Sequence, residues 1–360
     1  MISVSVAMAH AMVRPIANIM HAWPISLHKI VIAAAPKAAA AEMTGNTHNS
    51  RGLDPGMLHF GQAVAAATPP DVQGLPLQEQ RNIWNSICQK FRAPRPTDID
   101  AADVLANGVA ARVFTPKGPG PFAGVVYAHG GGFVLGGLET HDDMCAEMAS
   151  QAQCAVVLFD YRLAPEHPYP AQLEDSLKVW RWMREQGHAH KIDGNRLIAA
   201  GDSVGGQMSV ALALALRELG LPQVQNMVLI YPTLSTQFDT PSFQRNAKTP
   251  GLTRDDMIFY MRSFLGPEGS PAWLDEKALP ALVQNVEGLP PAFITVADHD
   301  PVCDDGVNFH QKLLAGGVPS ELRREPQLAH SYMRARHYSP LDMQAFTAIT
   351  MALRNMAHTS

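Results

Sequence analysis

The sequence has no excess of basic residues: 28 Lys and Arg face 33 Asp and Glu in 360 residues, a formal net charge of −5 with His neutral. Such a balance offers no footprint for nucleic acid, which is not an expected partner. Cysteine is scarce. Cys88, Cys145, Cys154 and Cys303 form no Cys-x-x-Cys pair and are too few and scattered for a disulfide framework, so they read as reduced thiols in or near the core. No run reaches the roughly 18 uninterrupted apolar residues of a membrane-spanning helix, so no integral membrane segment is expected. Two phosphate-binding signatures are also missing: the Gly-Lys-Ser/Thr ending of a Walker-type loop, and a Gly-x-Gly-x-x-Gly stretch opening a helix with a suitable downstream acid. His188 and His190 mimic a metal pair, but no carboxylate or cysteine set nearby completes a site. Neither a metal nor a cofactor is expected, and no internal repeat is found.

With 46% hydrophobic and 17% charged residues, the composition is that of an ordinary soluble globular protein, large enough for one big α/β domain or two modest ones. Residues 1–50 read as a disordered or loosely helical extension, partly an over-extended reading frame given Met8, Met12, Met20, Met43 and Met57. The alternative is an atypical export signal, since Lys29, the apolar Ile30 to Ala35, Pro36 and an alanine tract loosely resemble the end of one. A cytoplasmic location is the expectation, and a homodimer is left open.

From Asp54 to about Arg92 apolar residues recur at helical spacing around the Pro69-Pro70 break, which predicts two helices over 51–95 that act as core packing or as a lid. After Pro94 and Pro96 come β-like runs at Val109 to Phe114 and Phe122 to Ala128. The second leads into His129-Gly130-Gly131-Gly132-Phe133. Three consecutive glycines are costly in backbone entropy and imply a close approach to the main chain. With the phosphate signatures missing, the reading is an oxyanion hole built on the amides of Gly131 and Gly132.

A buried run, Ala155 to Phe159, precedes the proline-rich loop Asp160 to Ala171, whose mixed charges predict fixing ion pairs, and then a helix from Leu173 to Glu185. The central motif is Gly201-Asp202-Ser203-Val204-Gly205, between an apolar run and a small-residue helix that is apolar on every face. Strand, sharp turn and helix around Gly-x-Ser-x-Gly describe a nucleophile elbow. Thr233 to Trp273 then loses the β/α rhythm and carries many aromatic residues, so 233–273 is read as an inserted lid or pocket wall. The rhythm resumes with Pro291 to Ala297, a helix from about Asp304 to Ala315, a strand from Ser320 to Arg324 and a last helix from Leu341 to Met356.

A serine at such an elbow needs an acid and a base later in the chain, in that order. Ser203, Asp300 and His330 satisfy it, with Asp298, Asp304 and Asp305 as rivals for the acid, and His330 placed six residues beyond the last strand. The amide of Val204 would complete the oxyanion hole.

Together these motifs resemble the bacterial hormone-sensitive lipase family of esterases, from about Leu53 to the C-terminus. His129 to Phe133 matches its His-Gly-Gly-Gly-Phe signature, and Asp160 to Ala171 its Asp-Tyr-Arg-Leu-Ala-Pro-Glu-His-Pro-Phe-Pro-Ala stretch with Tyr169 for phenylalanine. Gly201 to Gly206 matches its Gly-Asp-Ser-Ala-Gly-Gly elbow with Val204 for alanine, and Asp300 to Gly306 its Asp-Pro-Leu-x-Asp-Glu-Gly motif, which selects Asp300. Where the family has His-Gly-Phe, this chain has His330-Ser331-Tyr332. The resemblance implies an α/β-hydrolase fold over 96–360 under a helical cap. It also implies hydrolysis of short to medium acyl esters through an acyl-enzyme, with no cofactor and with a small-molecule ester as partner. An amide, carbamate or lactone hydrolase with the same triad is the alternative. So is a non-catalytic receptor on this scaffold, against which His330 argues.

Overall fold

The computed structural model describes residues 52–69 and 71–358. The extension expected over 1–50 lies outside the described residues. Eight strands form one sheet in the order β1-β2-β4-β3-β5-β6-β7-β8. They are β1 (Ile99–Ala106), β2 (Val109–Pro116), β3 (Phe122–Ala128), β4 (Ala155–Phe159), β5 (Ile192–Asp202), β6 (Asn226–Ile230), β7 (Ala292–His299) and β8 (Ser320–Ala329). β2 is antiparallel to both β1 and β4, and the pairs from β4 through β8 are parallel. Parallel strands are covered on both faces by the helices that connect them, which is why the five residues of β4 are apolar and all buried.

On one face lie α4 (Ala171–Gln186) and α5 (Val204–Glu218), packing Val179, Trp180, Met183, Met208, Leu212 and Leu216 onto the sheet. On the other lie α3 (Leu138–Ala152) and α9 (Pro340–His358), contributing Met144, Met148, Phe346, Ile349 and Leu353. α8 (Cys303–Ala315) follows β7 and buries Phe309 and Leu313. α5 is buried from Val204 to Leu216, as its alanine and leucine repeat requires. Among the described residues no helix is long and apolar enough to cross a membrane, and the four cysteines are free thiols.

Two strands depart from the sequence reading. β1 is absent from it because its side chains between Ile99 and Ala106 are mostly exposed, so an edge strand held by backbone pairing to β2 lacks the apolar signal. β8 continues five residues past Arg324 to Ala329, through Glu325, Pro326 and Gln327. Proline is tolerated there because β8 is an edge strand. His330 therefore follows the strand end directly rather than six residues beyond it.

Above the strand ends sit α1 (Pro55–Ala67) and α2 (Leu77–Lys90). Asp54 caps α1 by accepting from the Met57 amide at 2.9 Å, with Pro55 pre-set for the first turn. Gly56 lets the helix touch the C-terminal segment, because a Cβ there would lie 2.5 Å from the Tyr338 carbonyl oxygen. α2 is fastened by Arg81, which donates to the carbonyls of Val134 (2.8 Å) and Ala164 (2.9 Å) and pairs with both oxygens of Glu166. The proline-rich loop is further fixed by Arg162, paired with Asp175 and Glu174. Segment 233–273 folds into α6 (Pro241–Arg245) and α7 (Arg254–Leu265), and Phe264 of α7 stacks on Phe133 at 3.8 Å between ring centroids.

Arg81 is mostly shielded while Glu166 is half exposed, so the backbone contacts carry more than the ion pair. Arg81→Ala should cost about 1–3 kcal/mol in urea unfolding, by the cost of leaving buried acceptors unpaired. Glu166→Ala should cost less than about 1 kcal/mol. Equal losses would contradict this ordering.

Candidate active site

The site forms where β5 ends. Ser203 sits between β5 and α5 with φ 57 and ψ −121, a conformation that costs a non-glycine residue about 1–3 kcal/mol unless its surroundings enforce it. They do. The Ser203 amide donates to the Ile230 carbonyl at 2.8 Å, and its own carbonyl accepts from Gly206 at 3.0 Å and Thr233 at 3.2 Å. The flanking glycines serve close approach: a Cβ at Gly201 would lie 2.5 Å, and one at Gly205 2.0 Å, from the Ala128 carbonyl oxygen at the end of β3.

His330 Nε2 lies 2.9 Å from Ser203 Oγ, and its Nδ1 lies 2.6 Å from Asp300 Oδ2. With Nδ1 donating to the carboxylate, Nε2 is free to accept from the serine hydroxyl. All three residues are buried, and the Tyr231 ring packs against the imidazole at 4.9 Å between centroids. Asp300 is oriented by the Val302 amide, which donates to its other oxygen at 3.0 Å, while Asn246 braces the loop by donating to the carbonyls of Asp298 and Asp300. The rival carboxylates are engaged elsewhere. Asp298 pairs with Arg324, Asp304 accepts from the Ser242 amide, and Asp305 accepts from Leu234 and Ser235. Burial pushes the Asp305 carboxyl up to about 6 despite those bonds.

The glycine loop faces the same cavity. Gly131 (φ 123) and Gly132 (φ 64) lie where side chains are disfavoured, and a Cβ would come 2.2 Å from the Leu135 carbonyl oxygen in the first case and 2.2 Å from the Tyr260 ring in the second. The Gly130 amide is used within the fold, donating to Asp202 Oδ1 at 3.0 Å. Those of Gly131 and Gly132 donate to no protein acceptor among the described residues, and Val204 opens α5, where first-turn amides lack intrahelical partners. A serine hydroxyl against an imidazole, with uncommitted amides beside it, can attack a carbonyl carbon and hold the resulting oxyanion.

The cavity, about 140 Å³, is bounded by α1, α2, α7 and the glycine loop, with Met57, Phe60, Trp84, Leu252, Met257 and Tyr260 as apolar walls. Segment 51–95 and the insertion thus both border it.

Sequence reasoning missed Asp202, the variable position of its own motif. This buried carboxylate accepts from the Tyr127 hydroxyl at 2.9 Å and the Gly130 amide at 3.0 Å, and lies 3.3 Å from His141 Nε2. Burial opposes its charge, but His141, the Arg334 guanidinium and the Tyr127 hydroxyl outweigh burial and hold the carboxyl well below the usual range. One side chain thereby ties the elbow to the glycine loop. His129 is locked beneath it, stacked on Tyr161 at 4.1 Å and pushed down to about 3 by burial, so it stays neutral.

A sequence profile of the alpha/beta hydrolase fold matches residues 125–334. Carboxylesterase NlhH of Mycobacterium tuberculosis is 40% identical over 239 residues, covering 65% of this chain and 74% of its own. Ethyl acetate hydrolase of Pseudomonas putida is 34% identical over 244 residues, 66% and 76% of the two chains. Among solved structures, a thermostable esterase from Pseudomonas putida superposes with a TM-score of 0.78 at 25% identity, over 86% of this chain and 99% of its own.

Asp202→Asn should cost about 2–4 kcal/mol at pH 7, by analogy with breaking one partner out of a buried charged network. Because the native carboxyl is held low, its contribution is complete above the ordinary aspartate value of about 4 and is lost as the pH falls toward the native value. The urea-stability gap between wild type and variant should hold steady from about pH 5 to 8 and narrow below about pH 4. A gap that widens in acid contradicts this role.

Proposed function

This chain belongs to the α/β-hydrolase fold family, among its hormone-sensitive-lipase-like esterases, and on that footing we propose that Ser203, His330 and Asp300 carry out ester hydrolysis through an acyl-enzyme. The protein is a carboxylesterase. The observation that carries the assignment of residues is the continuous hydrogen-bonded line from Ser203 Oγ through His330 to Asp300, at 2.9 and 2.6 Å.

In this reading His330 Nε2 takes the hydroxyl proton as Ser203 Oγ attacks the ester carbonyl, and then delivers it to the departing alcohol oxygen. Asp300 keeps Nδ1 protonated and stabilises the imidazolium while it exists. The carbonyl oxygen becomes an oxyanion held by the amides of Gly131, Gly132 and Val204; each such donor typically lowers the barrier by about 2.7–4 kcal/mol. Water, deprotonated by the same imidazole, then attacks the acyl carbonyl and frees the acid. The fold already holds Ser203 in its strained elbow conformation with Oγ against His330 Nε2. The apolar walls of a cavity of about 140 Å³ favour short to medium acyl chains, in keeping with the ethyl acetate hydrolase relative.

Ser203→Ala should lower kcat on a nitrophenyl butyrate by about 10⁴-fold or more with an unchanged circular dichroism spectrum. Retained turnover would remove Ser203 from the mechanism. Across nitrophenyl esters from acetate to laurate, kcat/KM should peak at or below about six carbons, as a small apolar cavity favours. A peak at ten or more carbons contradicts the short-to-medium assignment.

A further inference from the structure

Two arginines line the catalytic cavity, and they differ in one respect. Arg336 is paired with two carboxylates, Asp143 at 2.5 Å and Glu147 at 2.7 Å. Arg334, four residues after His330 and lining the same cavity, has no carboxylate within ion-pair distance among the described residues, although Asp202 and Asp143 stabilise its charge from farther off. Its Nη1 donates to the Thr140 carbonyl at 2.9 Å and to Cys88 Sγ at 3.4 Å, and its guanidinium lies 5.3 Å from the Trp84 ring of α2. Both Nη1 hydrogens are thus committed. Nη2 has a single contact, His141 Nε2 at 3.2 Å, and Nε has none among the described residues.

The His141 contact is contested. The same nitrogen lies 3.3 Å from Asp202 Oδ2, and one imidazole nitrogen cannot accept from Arg334 and donate to Asp202 at once. If Nε2 carries a proton it satisfies Asp202 and leaves Nη2 facing a hydrogen. If it is bare it accepts from Nη2 and opposes its lone pair to a carboxylate. In either tautomer one hydrogen-bonding site stays unmatched, an Nη2 hydrogen of Arg334 or Oδ2 of the buried Asp202, and such a mismatch is costly. The Nε and Nη2 hydrogens lie along one edge of the guanidinium, spaced to bind two oxygens of one carboxylate.

We propose that Arg334 is a specificity-determining residue that binds a free carboxylate borne by the ester substrate, so that the preferred substrates are carboxylated esters such as half-esters of short dicarboxylic acids. The carboxylate docks on the Nε/Nη2 edge and frees His141 to donate to Asp202. The apolar walls hold the linking carbons while Ser203 attacks the ester carbonyl. This inference rests on the esterase reading above.

The test compares matched pairs of esters: monoethyl glutarate against ethyl pentanoate places the charge in the acyl half, and 4-acetoxybenzoate against 4-methylphenyl acetate places it in the alcohol half. Arg334→Met should lower the ratio of kcat/KM for the charged over the neutral ester by about 10- to 100-fold in one pair, mainly through KM, with Arg334→Lys recovering part of it. The responding pair tells which half carries the charge. A ratio within about threefold of wild type in both pairs overturns the proposal. Wild type alone also tests it: in at least one pair the charged ester should have a KM no higher than its neutral partner, and a KM more than about tenfold higher in both pairs overturns it. If wild type turned over none of the four esters, the esterase reading would fail instead. Calorimetric binding of monoethyl glutarate to wild type and not to Arg334→Met would still support the Arg334 contact, and equal binding or none would overturn it.

Discussion

The close contact between the ends of β3 and β5 governs everything else in the site. The Ala128 carbonyl oxygen occupies the space that side chains at positions 201 and 205 would need, so both must be glycine and the turn between them is forced. That turn holds Ser203 at φ 57 and places it within reach of His330. The same junction projects the glycine loop from β3, and Asp202 of the elbow ties into it by accepting from both the Gly130 amide and the Tyr127 hydroxyl at one oxygen, Oδ1. Strain at the serine is therefore maintained by packing and by a buried carboxylate, the arrangement expected where a reactive group must not relax.

How much of this the sequence discloses follows from how local each cause is. Glycine clusters have a steric cause within a few residues, so the elbow at 201–205 and the loop at 130–132 stand out. The chain order of serine, acid and histidine narrows the partners, and resemblance to known esterases selects Asp300 over Asp298, Asp304 and Asp305; the structure brings Asp300 and His330 within hydrogen-bonding distance of each other. Exposed backbone pairing leaves no such mark, which hides β1 and the polar end of β8. Asp202 is harder still. Its partners Tyr127, His141 and Arg334 come from separate elements, so its character as a buried hub exists only after folding. The order and placement of the β/α units were legible because buried parallel strands are continuous apolar runs.

The first two helices supply much of the cavity's apolar wall. α1 and α2 bring Met57, Phe60 and Trp84 over the serine, and their attachment through Arg81 and Gly56 is largely to main-chain atoms. The resulting cavity is polar at its floor, where Ser203, Asp202 and His330 lie, and at the wall where Arg334 and Arg336 meet α2 and α3, and is mostly apolar elsewhere. On that wall Arg336 is held by two carboxylates while Arg334 keeps guanidinium hydrogens open, and the proposed docking of a substrate carboxylate rests on that contrast.

In the proposed mechanism Ser203 becomes acylated and His330 relays its proton. Acid quenching of the enzyme within milliseconds of mixing with nitrophenyl butyrate, followed by proteolysis and mass spectrometry, examines that claim at the atom concerned. One butyryl group should appear on the peptide containing Ser203, formed in a burst with nitrophenolate release and absent from Ser203→Ala. A butyryl group on another residue, or steady turnover with no acylated peptide at any quench time, would contradict the account.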